Sequence, residues 1–407
     1  MATFKQIADF DVARFMGDRS GLSKCADGFF RDLFVGHNNA FPDEVMHGAF
    51  DWDGEIIYAP CAYESAFNAW SSIGRFFKHV QSDPGDIDAR QETYYVYHCA
   101  NAAAGNIVFG DNRTVFCAAG HTSTTTQKIF TAKGGRTFDA QHLSVTTDGT
   151  VVFKSDQVLY ILSCSDNAMT EYVTHTVPLG SGASWFKLLE NKLDNDFSYV
   201  AVCETKKSAV TREESGKLWL IGLKTNSVIN RLGIDGIQDC SRHPQNPELV
   251  VLGQKLTLLS LPDLKTIRSV ALPLNNNIKN VYPACAVVAH SPAGHHFALA
   301  NAGSHVEIRN AKTLEMMHTL NGRGSPLPDM AWDSTGNYLA CRFADRSGQT
   351  KTELAVFDIR SQEIVFKTAI SNKITENFPG TVFKWSPHAT ELACLIDNQR
   401  IQVYKLA

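Results

Sequence analysis

The stretch that decides the fold reads VAHSPAG at residues 288–294, HFALA at 296–300, VEIR at 306–309 and MMHTL at 316–320. Each apolar run has the length of a β-strand, and Pro, Gly and Asn residues separate the runs as turns do. The stretch therefore predicts a unit of four short strands.

The same frame recurs along the chain, which indicates a repeat protein. It is clear at MAWDSTG (residues 330–336) and at FKWSP (residues 383–387), and each is followed by two further apolar runs. Toward the N-terminus the frame weakens but persists. Starts of the frame occur near residues 49, 107, 145, 199, 240, 288, 330 and 383. Because residues 73–104 are too irregular to assign, the sequence predicts either seven or eight units.

The order of these features resembles a WD40 repeat: an apolar strand, a Ser-Pro-x-Gly turn, a small-residue strand, a Val-x-Ile strand and an Asn-Ala-x-Thr turn. The resemblance implies an all-β fold, a single β-propeller of seven or eight four-stranded blades. No unit carries the family's Trp-Asp dipeptide at the end of its third strand, and Phe357-Asp358 comes nearest. The chain therefore resembles a divergent WD40-like propeller.

The predicted last unit has only three strands before Ala407, which would leave an exposed edge open to aggregation. We expect an N-terminal strand to complete this C-terminal blade, and the segment Phe29–Val35, followed by Gly36-His37, matches the family's outermost strand. A helix is the alternative, since the apolar residues of this segment also fit a 3.6-residue period. The predicted propeller thus spans residues 29–407, preceded by a partly helical extension at residues 1–28.

Composition limits the function classes. The chain has 407 residues, 44% of them hydrophobic, and a formal charge of −4, so no overall positive field attracts nucleic acid. A local basic patch that binds RNA stays possible. Charged residues interrupt every candidate signal or membrane-spanning segment. We expect a protein of the cytoplasm or the nucleus, without membrane insertion.

Side chains that could support chemistry have structural interpretations. The ten Cys residues include no CxxC pair, and those at positions 117, 203, 341 and 394 follow small or apolar strand residues, so they are predicted to be buried thiols. The His residues at positions 290, 295, 296 and 305 lack the spacing of metal ligands and are predicted at turns or on the surface. No Gly-x-Ser-x-Gly elbow or phosphate-binding loop occurs. The sequence thus predicts neither catalytic nor metal-binding residues and no cofactor.

Long connections between blades and between second and third strands are the best candidates for binding, because binding residues concentrate in loops on a rigid scaffold. In a propeller these connections emerge on one face. The residues predicted to form this docking face are Lys206, Lys207, Arg212, Lys279, Arg346, Lys351, Lys373 and Phe378. Acidic neighbours such as Glu213 and Glu214 give an equally simple interpretation, namely solvated loops.

A narrower motif comprises Phe357, Asp358 and Arg360, which is similar to the Trp-Asp-x-Arg box of WD40 receptors in cullin-type ubiquitin ligases. Phe357 replaces the Trp of that box. Taken together, the family resemblance implies a non-enzymatic scaffold or adaptor that binds peptide segments of other proteins within an intracellular assembly. The alternatives are an RNA-associated propeller in translation or RNA processing, a ubiquitin-ligase substrate receptor, and a propeller hydrolase.

Overall fold

The structure is a computed structural model. It describes residues 4–11, 51–52, 56–64, 70–78, 85–92, 98–101, 107–110, 114–118, 126–131, 139–155, 157–164, 171–179, 183–190, 198–207, 214–272, 286–301, 305–344, 352–370, 383–386, 389–396 and 400–406. The regular elements in these ranges are all β-strands, as the sequence predicts.

The strands up to residue 178 are β1 (Phe4–Asp11), β2 (Asp51–Trp52), β3 (Ile56–Glu64), β4 (Trp70–Lys78), β5 (Gly85–Glu92), β6 (His98–Asn101), β7 (Ile107–Gly110), β8 (Thr114–Ala118), β9 (Thr126–Thr131), β10 (Asp139–Val145), β11 (Val151–Ser155), β12 (Val158–Cys164) and β13 (Tyr172–Pro178). Those from residue 183 to residue 290 are β14 (Ala183–Leu189), β15 (Tyr199–Lys207), β16 (Glu214–Gly222), β17 (Ser227–Gly233), β18 (Asp239–Arg242), β19 (Glu248–Leu252), β20 (Lys255–Ser260), β21 (Thr266–Ala271) and β22 (Ala286–His290). The remainder are β23 (His296–Asn301), β24 (His305–Asn310), β25 (Met316–Asn321), β26 (Ser325–Trp332), β27 (Tyr338–Ala344), β28 (Thr352–Asp358), β29 (Glu363–Ile370), β30 (Phe383–Trp385), β31 (Glu391–Ile396) and β32 (Arg400–Leu406).

The strands group into four-stranded sheets in chain order. The sheets of the described residues are β2–β5, β6–β9, β10–β13, β14–β17, β18–β21, β22–β25, β26–β29 and the sheet β30-β31-β32-β1. The described residues thus form eight sheets, which corresponds to the larger of the two predicted blade numbers. Within a sheet, consecutive strands pair antiparallel, as in β18–β21.

The chain divides into two compact units. The first consists mainly of Thr174–Ala369, and its sheets are β14–β17, β18–β21, β22–β25 and β26–β29. The second consists mainly of Phe4–Phe153 and Ile370–Ala407, and its sheets are β2–β5, β6–β9 and β30-β31-β32-β1. The strands of β10–β13 fall partly in each unit.

Sheets of the first unit are buried on both faces. On β19, Leu249 and Val251 pack with Leu218 of the preceding sheet, whereas the alternate residue Val250 packs with Phe297 of the following sheet. Successive strand residues point to opposite faces, so a strand between two neighbouring sheets must be apolar at every position. This explains the uninterrupted runs such as ELVVL at residues 248–252, which an exposed sheet would not tolerate.

The hairpins between third and fourth strands of the first unit share one turn. Each places a residue in the left-handed conformation, with φ near +50° to +62° at Asn226, Leu264, Leu314 and Gln362. In three of them the N–H of that residue donates to the carbonyl four residues earlier, as Leu314 does to Asn310 at 2.9 Å. Leu264 and Leu314 are buried, so their packing offsets the backbone strain that a non-glycine residue has at positive φ.

An N-terminal strand completes the last sheet, but it is not the predicted segment. Strand β1, at Phe4–Asp11, pairs antiparallel with β32, and the Phe4 ring lies 6.1 Å from the Trp385 ring. The predicted segment Phe29–Val35 lies outside the described residues. The expectation of helical structure is wrong for residues 4–11, because hydrogen bonding to the open edge of β32 outweighs the weak helical period of that segment.

Candidate functional site

First strands of neighbouring sheets in the first unit carry a polar cluster. Nζ of Lys187 on β14 lies 2.8 Å from Oδ1 of Asp239 on β18, and Oδ2 of Asp239 accepts the N–H of Val288 on β22 at 2.9 Å. Burial works to lower the pKa of Lys187, but the attraction and hydrogen bond of Asp239 outweigh it and leave that pKa above its ordinary value. Asp239 therefore links three sheets through its two oxygens.

A Ser–His pair lies beside this ion pair. The backbone N–H of His290 donates to Oγ of Ser241 at 3.0 Å, and Nδ1 of the His290 ring lies 3.1 Å from the same oxygen. Burial, helped by the nearby charges of His243 and Lys187, lowers the pKa of His290 to about 3. The imidazole is therefore neutral at physiological pH.

This pair lacks the chemistry of a hydrolase. A general base needs a pKa near the working pH and a third group that orients its ring. The pKa of His290 is far too low, and its Nε2 atom has no hydrogen-bond partner among the described residues. The geometry instead joins β18 to β22, and the bond from Nε1 of Trp332 to the carbonyl of Ala289 at 2.9 Å joins β26 to β22 in the same way.

The other predicted structural side chains agree with this interpretation. Cys117, Cys203, Cys341 and Cys394 are buried, as predicted, and burial raises the pKa of the last two thiols. The His296 ring lies 5.1 Å from the Trp332 ring and is half-buried rather than fully exposed. In the described part of the chain, no cluster of His, Cys, Asp or Glu is arranged to hold a metal ion.

The predicted docking face lies mostly outside the described residues. Lys206 and Lys207 are at the end of β15, in register with Ser215 and Glu214 of β16, so the long insertion there is partly an extended hairpin. The residues that fall outside the described ranges are Arg212, Lys279, Arg346, Lys351, Lys373 and Phe378. Six of the eight predicted residues lie outside the described ranges, so the docking face stays a prediction.

The predicted ligase-type box is partly structural. Phe357 is fully buried and packs against Phe343 with ring centroids 6.1 Å apart. Oδ1 of Asp358 accepts the backbone N–H groups of Arg360 at 2.8 Å and Ser361 at 3.1 Å, which closes the hairpin after β28. Only Arg360 of the three is exposed.

A surface that the sequence analysis missed lies on the fourth strands of the first unit. Each of β17, β21 and β25 has a β-bulge near its start, where one residue is left unpaired opposite the third strand. The residues at these bulges are Ile229, Ile267 and Met317. They are 40%, 51% and 48% exposed, and the adjacent Met316 is 54% exposed.

The bulge position recurs in the second unit. Ile87 on β5, Ile129 on β9 and Ile7 on β1 are skipped in the same way, after the second pair of β5 and after the third pair of β9 and of β1. An apolar residue thus occupies equivalent bulges in successive sheets. The fact that β1 shares this register supports its assignment as the closing fourth strand.

Side chains next to the bulges form hydrogen bonds to the hairpin of the neighbouring sheet. Nδ2 of Asn230 donates to the carbonyl of Asp263 at 2.7 Å, and Nδ1 of His318 lies 3.0 Å from Nε2 of Gln362. In both cases the residue after a bulge contacts the following sheet's hairpin. The first of these bonds joins β17 to the hairpin before β21, and the second joins β25 to the hairpin before β29. We call the residues of β17, β21, β25 and their hairpins, 224–233, 262–271 and 311–321, the outer-strand surface.

Comparison with solved structures identifies the fold. Sqt1 of Saccharomyces cerevisiae superimposes with a TM-score of 0.65 at 9% identity, covering 90% of this chain and 98% of that chain. The Dos1 propeller gives 0.55 at 11%, covering 89% and 94%, and the computationally designed Ika8 protein gives 0.58 at 10%, covering 90% and 97%. The chain is a β-propeller of four-stranded blades.

Sequence comparison adds no closer relationship. No family model matches the chain, and no curated protein matches it. The likeness to the solved structures, at identities near 10%, extends to the fold alone. In the described ranges, a search for a helix long and apolar enough to span a membrane found none.

Proposed function

We propose that this protein is a non-enzymatic scaffold or adaptor that binds other proteins. The observation that carries the proposal is the repeated exposure of Ile229, Ile267 and Met317 at equivalent bulges of adjacent blades. Singly exposed apolar residues are ordinary, but a series repeated at equivalent positions of adjacent blades is typical of a binding surface. The structural neighbours, which include the Dos1 propeller, are consistent with this role.

The polar cluster supports the same conclusion. Lys187, Asp239, Ser241 and His290 bond to one another and to the backbone of neighbouring blades, so they stabilise the fold rather than meet a substrate. A rigid framework with exposed outer strands suits docking of partners, because little conformational entropy is lost by the framework on binding.

The test is affinity capture of the tagged protein from cell extract, followed by quantitative mass spectrometry. We compare the wild type with the triple variant Ile229→Ser, Ile267→Ser, Met317→Ser. Val173→Ser is the control, because Val173 is equally exposed at 51% but lies outside the outer-strand surface. A defined set of proteins should be lost from the triple variant and kept by the control.

Two results would contradict the proposal: no stable partners at all, or identical partners for the wild type and the triple variant. Nuclease treatment of the extract tests the RNA-associated alternative, because partners held through RNA disappear after it. Lys206→Ala with Lys207→Ala tests the predicted docking face in the same experiment.

A further inference from the structure

The charge of the outer-strand surface differs in sign from that of the whole protein. Its basic side chains are Lys224, Arg231, Lys265, Arg268 and Lys312, its acidic ones are Asp263 and Glu315, and all seven residues are exposed. The protein as a whole carries −4. The exposed bulge residues Ile229, Ile267 and Met317, which we call the apolar row, therefore lie in a locally basic environment on an acidic protein.

The basic side chains of this surface differ in the contacts that they make within the protein. Lys265 pairs with Asp263 at 3.2 Å, and the guanidinium of Arg231 lies 3.9 Å above the Trp219 ring. Arg268 directly follows the bulge residue Ile267, and Lys312 lies in the hairpin of the next blade, four residues before Met316. Each exposed apolar side chain of this surface thus has a basic residue near it in the sequence.

We propose that the outer-strand surface binds an acidic protein segment whose apolar side chains are separated by Asp or Glu. This inference rests on the proposed function and names the chemistry of the partner. The apolar residues of the segment contact Ile229, Ile267 and Met317, and its carboxylates face Arg268 and its basic neighbours. Complementary charge increases the association rate and excludes basic competitors.

The surface fits a peptide better than a nucleic acid. Nucleic-acid strands bind where aromatic rings stack on bases, and the bulge residues here are Ile and Met. The outer-strand surface holds no Phe, Tyr or Trp. Flexible aliphatic and thioether side chains adapt to apolar side chains of a partner.

The experiment measures fluorescence anisotropy of labelled probes titrated with the full chain. One probe is a soluble peptide in which leucines are separated by glutamate and serine, a second has lysine in place of glutamate, and a third is oligothymidylate. We expect the acidic peptide to bind, the basic peptide to bind at least tenfold more weakly, and the acidic complex to weaken as salt rises.

Variants locate the site. Arg268→Glu and Ile267→Ser should each weaken the acidic peptide about tenfold. Lys255→Glu makes the same charge change at an exposed position at the far end of the same hairpin and should leave binding unchanged. Circular dichroism melts confirm that the variants are folded.

The inference is wrong if the acidic peptide does not bind, or if the basic peptide binds as tightly as the acidic one. It is also wrong if oligothymidylate binds more tightly than the acidic peptide, or if Lys255→Glu weakens binding of that peptide as much as Arg268→Glu. Failure of the proposed function is distinguishable. If capture from extract depends on the apolar row but is unaffected by Arg268→Glu, the scaffold proposal stands and the acidic-partner inference fails.

Discussion

Asp358 belongs to the predicted ligase-type box, but in the structure its side chain stabilises a turn. Its carboxylate accepts two backbone N–H groups of the hairpin after β28, and its own carbonyl accepts the N–H of Gln362 at 2.8 Å. Short polar side chains commonly stabilise turns in this way. The residues of the motif therefore have structural roles. Phe357 packs in the core, and Asp358 stabilises the turn in which Arg360 lies.

Replacing Asp358 by Ala should destabilise the protein by about 1 kcal/mol, because two backbone donors lose their acceptor. Asp358→Asn keeps an acceptor oxygen and should retain most of the stability. Urea unfolding followed by fluorescence measures both. Arg360→Ala is the control and should be neutral to stability, so a loss as large as that of Asp358→Ala would contradict the turn role.

His290 makes stability depend on pH. In the unfolded chain its pKa is about 6.5, and in the folded protein burial lowers it to about 3. The unfolded state therefore binds the proton first as pH falls. The contribution of neutral His290 to stability is complete above about pH 6.5 and is lost progressively down to about pH 3, at up to about 1.4 kcal/mol per pH unit.

We expect His290→Asn to reduce the fall in unfolding free energy between about pH 6.5 and about pH 4, since Asn keeps a polar group near Ser241 but does not titrate in this range. Urea midpoints at several pH values measure the slope. His295→Asn, at an exposed neighbouring position, serves as the control. An equal slope in the His290→Asn protein and the wild type would show that other groups cause the acid sensitivity.

At the scale of elements, the contrast between middle strands and fourth strands explains which strands the sequence predicts. Middle strands such as β19 lie between two blades and have an apolar sequence that is easy to recognise. Fourth strands lie at the periphery, so β21 exposes five of its six residues and its sequence, TIRSVA, is mixed. The sequence of β5, GDIDARQE, is mixed as well, which is why residues 73–104 do not settle the number of blades.

The closing strand was misassigned for the same reason. Phe29–Val35 is rich in apolar residues and is followed by Gly-His, which favours it as the closing strand, but a peripheral strand needs few apolar residues. Its bulge at Ile7 also breaks the alternation that a strand search uses. The bulge residues on β17, β21 and β25 escaped recognition because a one-residue insertion reverses the face that alternation predicts.

Removal of residues 1–11 should leave the edge of β32 without its partner strand. We expect a lower melting temperature and concentration-dependent aggregation, because an open edge can pair with another chain. Thermal unfolding and light scattering measure both. Lys5→Ala, an exposed position on β1, serves as control. An unchanged melting temperature after the deletion would contradict the closing role of β1.

At the scale of the whole molecule, the buried cysteines report on opening of the core. Cys203, Cys240 and Cys341 lie in the first unit and are fully buried. Reaction with an alkylating reagent requires a thiolate and access. We therefore expect these three to react only when the unit opens.

Labelling over time in dilute urea, mapped by mass spectrometry, should give these three cysteines one common rate that rises with denaturant. Labelling of fully unfolded protein supplies the intrinsic rates as a reference. Different rates for Cys203 and Cys341 in native buffer would indicate local openings of separate blades instead of cooperative opening of the unit.

The hydrogen bond between Asp9 and Gln402, at 3.0 Å, joins residues 393 positions apart. At a synthesis speed of about 5–20 residues per second, Asp9 is made roughly 20 to 80 s before Gln402. Strand β1 therefore spends that interval without its partner, and its charged residues Lys5, Asp9 and Asp11 discourage pairing with other nascent chains meanwhile. The sheet β30-β31-β32-β1 therefore cannot form before Gln402 has been made.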